Sequence, residues 1–232
     1  MRLRHGAAGF PREAAADAQL TAQDSRRRRL QAARLYVITP DASPGRLLEI
    51  AAAGVRGGAE VIQLRHKTAT RGELLALARQ LRSLLGDALL IVNDHLDIAL
   101  LSGADGVHLG PDDLSIESAR KLAGDGLLIG ASASDPVAAR SAVSLGADYV
   151  GCGPAFATPI KTQKRVIGPG GVAAVIAAVG STVPVFAIGG IDESNLGQLI
   201  GAGIHRACVI RGVGDAHDPE QAARRLHAML AP

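Results

Sequence analysis

The sequence predicts an α/β fold, a single (β/α)8 TIM barrel with a basic N-terminal extension. Three observations lead there. From Leu35 onward, eight short β-branched apolar runs alternate with longer segments of helical period. Residues 35–232 then divide into eight units of about 25 residues, the size of one strand and one helix in a compact barrel. Finally, the segments GGAEVIQL, SGADGVHL, LGADYVGC and GAGIHRA form an internal repeat in which glycine ends a helix and the next strand starts within a few residues. The competing architecture is an open doubly wound sheet. No GxGxxG follows the first strand, however, and no shift in composition marks a second domain.

In chain order, the strands are expected at LYVIT (35–39), EVIQL (60–64), ALLIV (88–92), GVHL (106–109), LLIGA (127–131), DYVGC (148–152), PVFAI (184–188) and RACVI (206–210). Helices are expected near 44–56, 70–84, 95–102, 115–123, 135–145, 169–179, 192–201 and 218–230. Ser43-Pro44, Ser115 with Ser118, Asp135-Pro136 and Asp218-Pro219 each place a capping side chain ahead of a first turn.

Composition narrows the function. Hydrophobic residues are 47% and charged residues 20%, which suits a packed domain rather than a disordered chain. Aromatics are only 2% and Trp is absent, so stacking platforms for single-stranded nucleic acid are not expected and the core should be aliphatic. Cys152 and Cys208 lie inside apolar runs and read as small buried residues, which suggests a reducing, cytoplasmic setting. The net charge of +3 has an address. Residues 1–34 hold eight Arg, including the run Arg26 to Arg29, against Glu13, Asp17 and Asp24, so the remainder is slightly acidic. The expectation is a flexible, solvated extension over 1–34, dispensable for folding, ahead of a catalytic barrel over 35–232. No signal peptide and no run long enough to span a membrane is read. Small-molecule substrates are therefore expected, with no nucleic-acid or membrane partner, and homo-oligomerisation is left open.

In a parallel barrel the active site lies at the carboxyl ends of the strands, and polar residues cluster just past these runs. They are Gln63, Arg65 and Lys67; Asn93 and Asp94; His108, Asp112 and Asp113; Ser132; Gly153, Thr158 and Lys161; Gly189 and Gly190; and Arg211 with Gly212. Three cations, Arg65, Lys67 and Lys161, together with two carboxylates, Asp94 and Asp113, point to a polyphosphate ligand with Mg2+ held by the carboxylates. The glycines after the seventh and eighth strands offer backbone N–H groups for a second phosphate. His108 reads equally as an interior histidine or a substrate contact. His66 and His95 show no metal-ligand spacing.

QLRHK (63–67), NDHLDIA (93–99), GADGVHLGPDDL (103–114), GASASDP (130–136), GADYVGCGPAFATPIK (146–161) and AIGGI (187–191), in this order, resemble the thiamine phosphate synthase family. The resemblance implies a cytoplasmic, Mg2+-dependent transferase of thiamine biosynthesis. Such an enzyme joins 4-amino-5-hydroxymethyl-2-methylpyrimidine diphosphate to 4-methyl-5-(2-phosphoethyl)thiazole, or its carboxylated form, giving thiamine monophosphate and pyrophosphate. It assigns Gln63, Leu64, Arg65, His66 and Lys67 to the diphosphate-binding segment, and Asn93, Ser132 and Lys161 to further contacts with the same substrate. Thr158, Pro159, Ile160, Gly190, Ile210 and Arg211 fall to the thiazole phosphate, and Asp94 and Asp113 to the metal. Lys161, Arg65, Lys67 and Ser132 are the implied catalytic set. Three positions depart from the family pattern: Ile160 where a Thr is usual, Arg211 where a Ser is frequent, and Pro111 where a Gln is usual. A thiazole tautomerase of the same fold and a non-catalytic thiamine-phosphate binding module are the alternatives. Both aspartates are present and Ala133-Ser134 follows Ser132, which favours the synthase over the tautomerase.

Overall fold

The computed structural model describes residues 23–158 and 165–231. Eight strands, β1 (Leu35–Ile38), β2 (Val61–Leu64), β3 (Leu89–Asn93), β4 (Gly106–Leu109), β5 (Leu128–Ala133), β6 (Tyr149–Cys152), β7 (Val185–Ile188) and β8 (Ala207–Val209), pair in parallel and in sequence order. β8 then pairs with β1, Cys208 opposite Tyr36, and the sheet closes into a barrel. Each strand coincides with a predicted run to within two residues. The helices α2 (Pro44–Arg56), α3 (Arg71–Leu84), α4 (Leu96–Ser102), α5 (Ile116–Ala123), α6 (Pro136–Ser144), α7 (Gly168–Val179), α8 (Leu196–Gly201) and α10 (Pro219–Met229) fill the predicted connections. Two helices were not foreseen: α1, over residues 23–32, and the short α9 (Arg211–Gly214) after β8. Ser115, Asp135 and Asp218 cap their helices through side-chain oxygens as expected, whereas Ser43 makes no such bond and α2 starts on Pro44 alone.

Strand alternation sorts the apolar residues into two cores. Leu35, Val37, Ile62, Leu64, Leu90 and Val92 face outward into the layer beneath the helices. Tyr36, Ile38, Val61, Leu89, Ile91, Leu128, Tyr149, Phe186 and Cys208 fill the barrel. The expectation of an aliphatic core therefore holds for the outer layer only. Tyr36, Tyr149 and Phe186 meet at the barrel centre, with ring centroids 5.5–6.0 Å apart. Few aromatics suffice, because a narrow barrel has room for only a few large rings.

The repeated acids have a structural task at the opposite, amino-terminal end. Glu60, Asp105 and Asp148 each stand just before an even-numbered strand. Their carboxylates accept the amides of Leu35, Leu90 and Ile129 at 2.9 Å, which lie at or near the start of the preceding strand. Each acid is matched by arginines. Asp105 pairs with Arg26 at 3.0 Å and with Arg82, and Asp148 pairs with Arg27 at 3.0 Å and with Arg120.

Two of these arginines belong to α1, which corrects the reading of residues 1–34 as a flexible extension throughout. Leu30 and Ala33 are fully buried against the barrel interior and close its amino-terminal end. Arg206 ties the segment down further by donating to the carbonyls of Gln31 and Ala33. The run Arg26 to Arg29 supplies the counter-charges of buried carboxylates, not only a solvated tail. Removing residues 1–33 should therefore destabilise the barrel. On the same grounds Leu30→Ala should cost about 2–4 kcal/mol through loss of packing, and Asp105→Ala about 3–5 kcal/mol because it strands buried positive charge. Urea unfolding of the two variants should show midpoints well below that of the parent chain.

Candidate active site

The carboxyl ends of the strands form a mouth with two unlike halves. One half is charged and comes from the loops after β1 to β4. Thr39, at the end of the first predicted run, accepts the Arg65 amide at 2.9 Å and donates to the Arg65 carbonyl at 3.0 Å. Asp41 accepts the Lys67 amide at 2.6 Å through Oδ1 and pairs with the Arg65 guanidinium at 3.0 Å through Oδ2. The Arg65 fork, only 15% exposed, is thus held at a fixed place in the mouth. The amides and arginine that face it hold the Asp41 carboxyl below the usual range, against the opposing effect of burial.

Lys67 reaches across to Asp94, Nζ to Oδ2 2.7 Å, and Asp94 hydrogen-bonds to Asp113. Burial works against ionisation of Asp94, but the Lys67 ammonium and the hydrogen bond with Asp113 outweigh it, so its carboxyl sits below the ordinary range. Asp113 moves the other way. Burial and the neighbouring Asp94 push it up, although the Gly110 amide donates to it at 2.7 Å. Asp94 also takes a left-handed backbone, φ 64°, unlike any other described residue except glycines. Such a conformation costs of order 1 kcal/mol and is typical of functional positions. Two oxygen donors of this kind suit a hard divalent cation. Among the described residues no third His, Cys, Asp or Glu joins them, so the remaining coordination would come from ligand oxygens and water, the habit of Mg2+.

The other half is a cavity of about 520 Å3 at the ends of β5 to β8, lined among others by Ser132, Thr158, Gly190, Ile210 and Arg211. Its wall is the segment after β6, laid on the turn after β7: Ala155 and Phe156 donate to the carbonyls of Ile188 and Gly189 at 2.8 and 2.9 Å. The close approach requires Gly190. Its φ is 64°, and a methyl group there would overlap the carbonyl of Ala157. Arg211, the first residue of α9, edges the cavity and pairs with Asp215 at 2.8 Å. Cys208 lies at the cavity floor, where burial pushes its thiol well above the usual value and keeps it protonated.

The structure thus brings Arg65, Lys67, Asp94 and Asp113 together in one half, and Ser132, Thr158, Gly190, Ile210 and Arg211 in the other; Asn93, half-buried, ends β3 immediately before Asp94. Three expected binding residues turn their side chains elsewhere. Leu64 is 1% exposed beneath the helices, so only its backbone borders the mouth. Gln63 is 2% exposed inside the barrel, where its amide donates to Tyr36 Oη at 2.8 Å. His66 accepts the Ala69 amide through Nδ1 and bonds the Ala42 carbonyl through Nε2, bracing its own loop. Pro159, Ile160 and Lys161 lie outside the described residues. Asp41 and Thr39 were missed. Applying the strand-end rule to the first strand, as to the other seven, would have found them.

Fold and mouth together define a (β/α)8-barrel protein with an anion-accepting charged rim beside a closed pocket. Residues 35–213 match the family described as thiamine monophosphate synthase. A thiamine-phosphate synthase of Thermosynechococcus vestitus is 43% identical over 209 residues, covering 89% of this chain and 58% of that protein. One from Chlorobium luteolum is 45% identical over 200 residues, covering 84% of this chain and 92% of that one. Among solved structures, a thiamine phosphate pyrophosphorylase from Pyrococcus furiosus superposes with a TM-score of 0.78 at 36% identity, over 88% of this chain and 96% of that one. The chain belongs to the thiamine monophosphate synthase family. It spans somewhat more than half the length of the Thermosynechococcus relative and nearly all of the Chlorobium one.

Gly190→Ala should lower stability by about 1–3 kcal/mol, the sum of backbone strain and displacement of the wall segment. Denaturant titration checks the cost, and loss of ligand-induced thermal stabilisation would report the distorted cavity.

Proposed function

We propose that this chain is a thiamine phosphate synthase, a transferase that couples the pyrimidine diphosphate to the thiazole phosphate and releases pyrophosphate. The observation that carries the reading is the division of the mouth, which sets Arg65, Lys67, Asp94 and Asp113 beside an uncharged cavity edged by Arg211. A diphosphate suits the first half and an aromatic ring with a single phosphate at the Gly190 and Arg211 rim suits the second. Incubating both substrates with Mg2+ and assaying for thiamine monophosphate tests it directly.

In the reaction proposed, the C–O bond between the pyrimidine methylene and the diphosphate breaks, and its electron pair leaves with pyrophosphate. The lone pair of the thiazole nitrogen then forms the new C–N bond to that methylene. Arg65, with Lys67 once released from Asp94, meets the charge that develops on the leaving group, and Lys161 is assigned the same task from the family pattern. Asp41 keeps Arg65 in place while this happens. Asp94 and Asp113 would hold Mg2+, whose charge supplements the cations on the diphosphate. The closed pocket shields the reacting carbon from water.

Asp94→Asn and Asp113→Asn should each raise the Mg2+ concentration needed for half-maximal rate and cut turnover at least tenfold. Titration of activity with Mg2+ after chelation is the measurement, and wild-type rates in the presence of chelator would remove the metal assignment. Arg211→Ala should raise KM for the thiazole phosphate about tenfold, the worth of one charge-assisted contact, while leaving KM for the diphosphate nearly unchanged. Lys161→Ala should instead lower turnover itself. Steady-state kinetics with each substrate varied in turn separates the two.

A further inference from the structure

A line of polar groups crosses the otherwise apolar barrel interior and ends at the cavity. Gln63 Nε2 donates to Tyr36 Oη at 2.8 Å, Tyr36 Oη lies 2.9 Å from Tyr149 Oη, Tyr149 Oη lies 3.2 Å from His108 Nδ1, and His108 Nε2 lies 3.0 Å from Ser132 Oγ. Tyr36 and Tyr149 are fully buried, and Ser132 lines the cavity. Gly130, two residues before Ser132 on β5, makes room, since a methyl group there would overlap the Tyr149 ring.

The direction of this line follows from donor and acceptor capacity. The Gln63 amide nitrogen only donates, so Tyr36 accepts there and its own proton goes to Tyr149. Burial, with Tyr149 beside it, pushes Tyr36 far above the ordinary phenol range, and burial does the same to Tyr149, so both stay protonated. Tyr149 accepts from Tyr36 and gives its proton to His108, whose Nδ1 must then offer a lone pair. The neutral imidazole consequently carries its proton on Nε2 and donates to Ser132 Oγ. The one remaining proton, that of the Ser132 hydroxyl, is turned toward the cavity.

We infer that Gln63, Tyr36, Tyr149 and His108 form a one-way hydrogen-bond relay that makes Ser132 an obligate donor, so that this position selects a hydrogen-bond acceptor on the bound pyrimidine diphosphate and rejects a donor. Tyr36, Tyr149 and His108 are in this sense positioning residues. The direction of the relay stands without reference to turnover; its consequence for the substrate rests on the function proposed above.

Two measurements test the two parts. In protein labelled with 15N-histidine, long-range 1H–15N correlation should show His108 as the Nε2–H tautomer at neutral pH, its resonance assigned by its loss in His108→Asn. In Tyr149→Phe, which deletes only the hydroxyl, that preference should relax toward a mixture. A wild-type His108 protonated on Nδ1, or a tautomer indifferent to Tyr149→Phe, overturns the relay whatever reaction the protein performs. For the substrate, Tyr149→Phe and Ser132→Ala should each raise KM for the pyrimidine diphosphate roughly five- to tenfold. The double variant should be no worse than Ser132→Ala alone, because the relay acts only through that hydroxyl. Independent, multiplying losses would show that Tyr149 serves packing and would overturn the positioning role.

Discussion

Closure of the sheet through the β1 and β8 pairing is the constraint on which the other features depend. In a closed barrel every strand has two hydrogen-bonded neighbours, so no strand can slip by one residue without reversing its inward and outward faces against both. Gln63, His108, Ser132 and the two tyrosines point inward because that register is locked. The interior is then too narrow to hydrate them, and each must find its partner among the others. An ordered polar line through an apolar barrel is the outcome.

The two ends of the barrel use carboxylates for opposite purposes. At the amino-terminal end, Glu60, Asp105 and Asp148 accept strand amides and face arginines, so their charge is answered within the protein and contributes to stability. At the carboxyl end, Asp94 and Asp113 are set against each other, one carboxyl lowered and the other raised, with Lys67 alone to balance them. Unresolved like-charge pairs of this kind belong at sites that complete themselves with a ligand.

The mouth is divided because the loops differ in length and composition. The charged half is held by short, strongly hydrogen-bonded connections from Thr39 and Asp41 to the loop after β2. The cavity half is shaped by backbone packing of the 153–158 segment on Gly189 and Gly190, with few charges of its own. Ser132, on β5, stands on the cavity side of that boundary.

Eight strands, most helix starts and the strand-end residues Arg65, Lys67, Asp94 and Asp113 were legible in the sequence, because alternation, helical period and capping are local patterns that survive without knowledge of the fold. Other features needed the tertiary structure. The partners of Arg26 and Arg27 lie 79 and 121 residues away, and a run of arginines reads the same whether solvent or Asp105 and Asp148 answer it. Whether Gln63 faces a ligand or Tyr36, and whether Leu64 borders the mouth or the helices, turns on the inward or outward phase of β2, which closure sets. The sequence by itself determined which residues could carry charge and where each strand ends. The tertiary structure decided which of those charges are already paired and which stand open at the mouth, because pairing depends on distances between loops that only the closed barrel brings together.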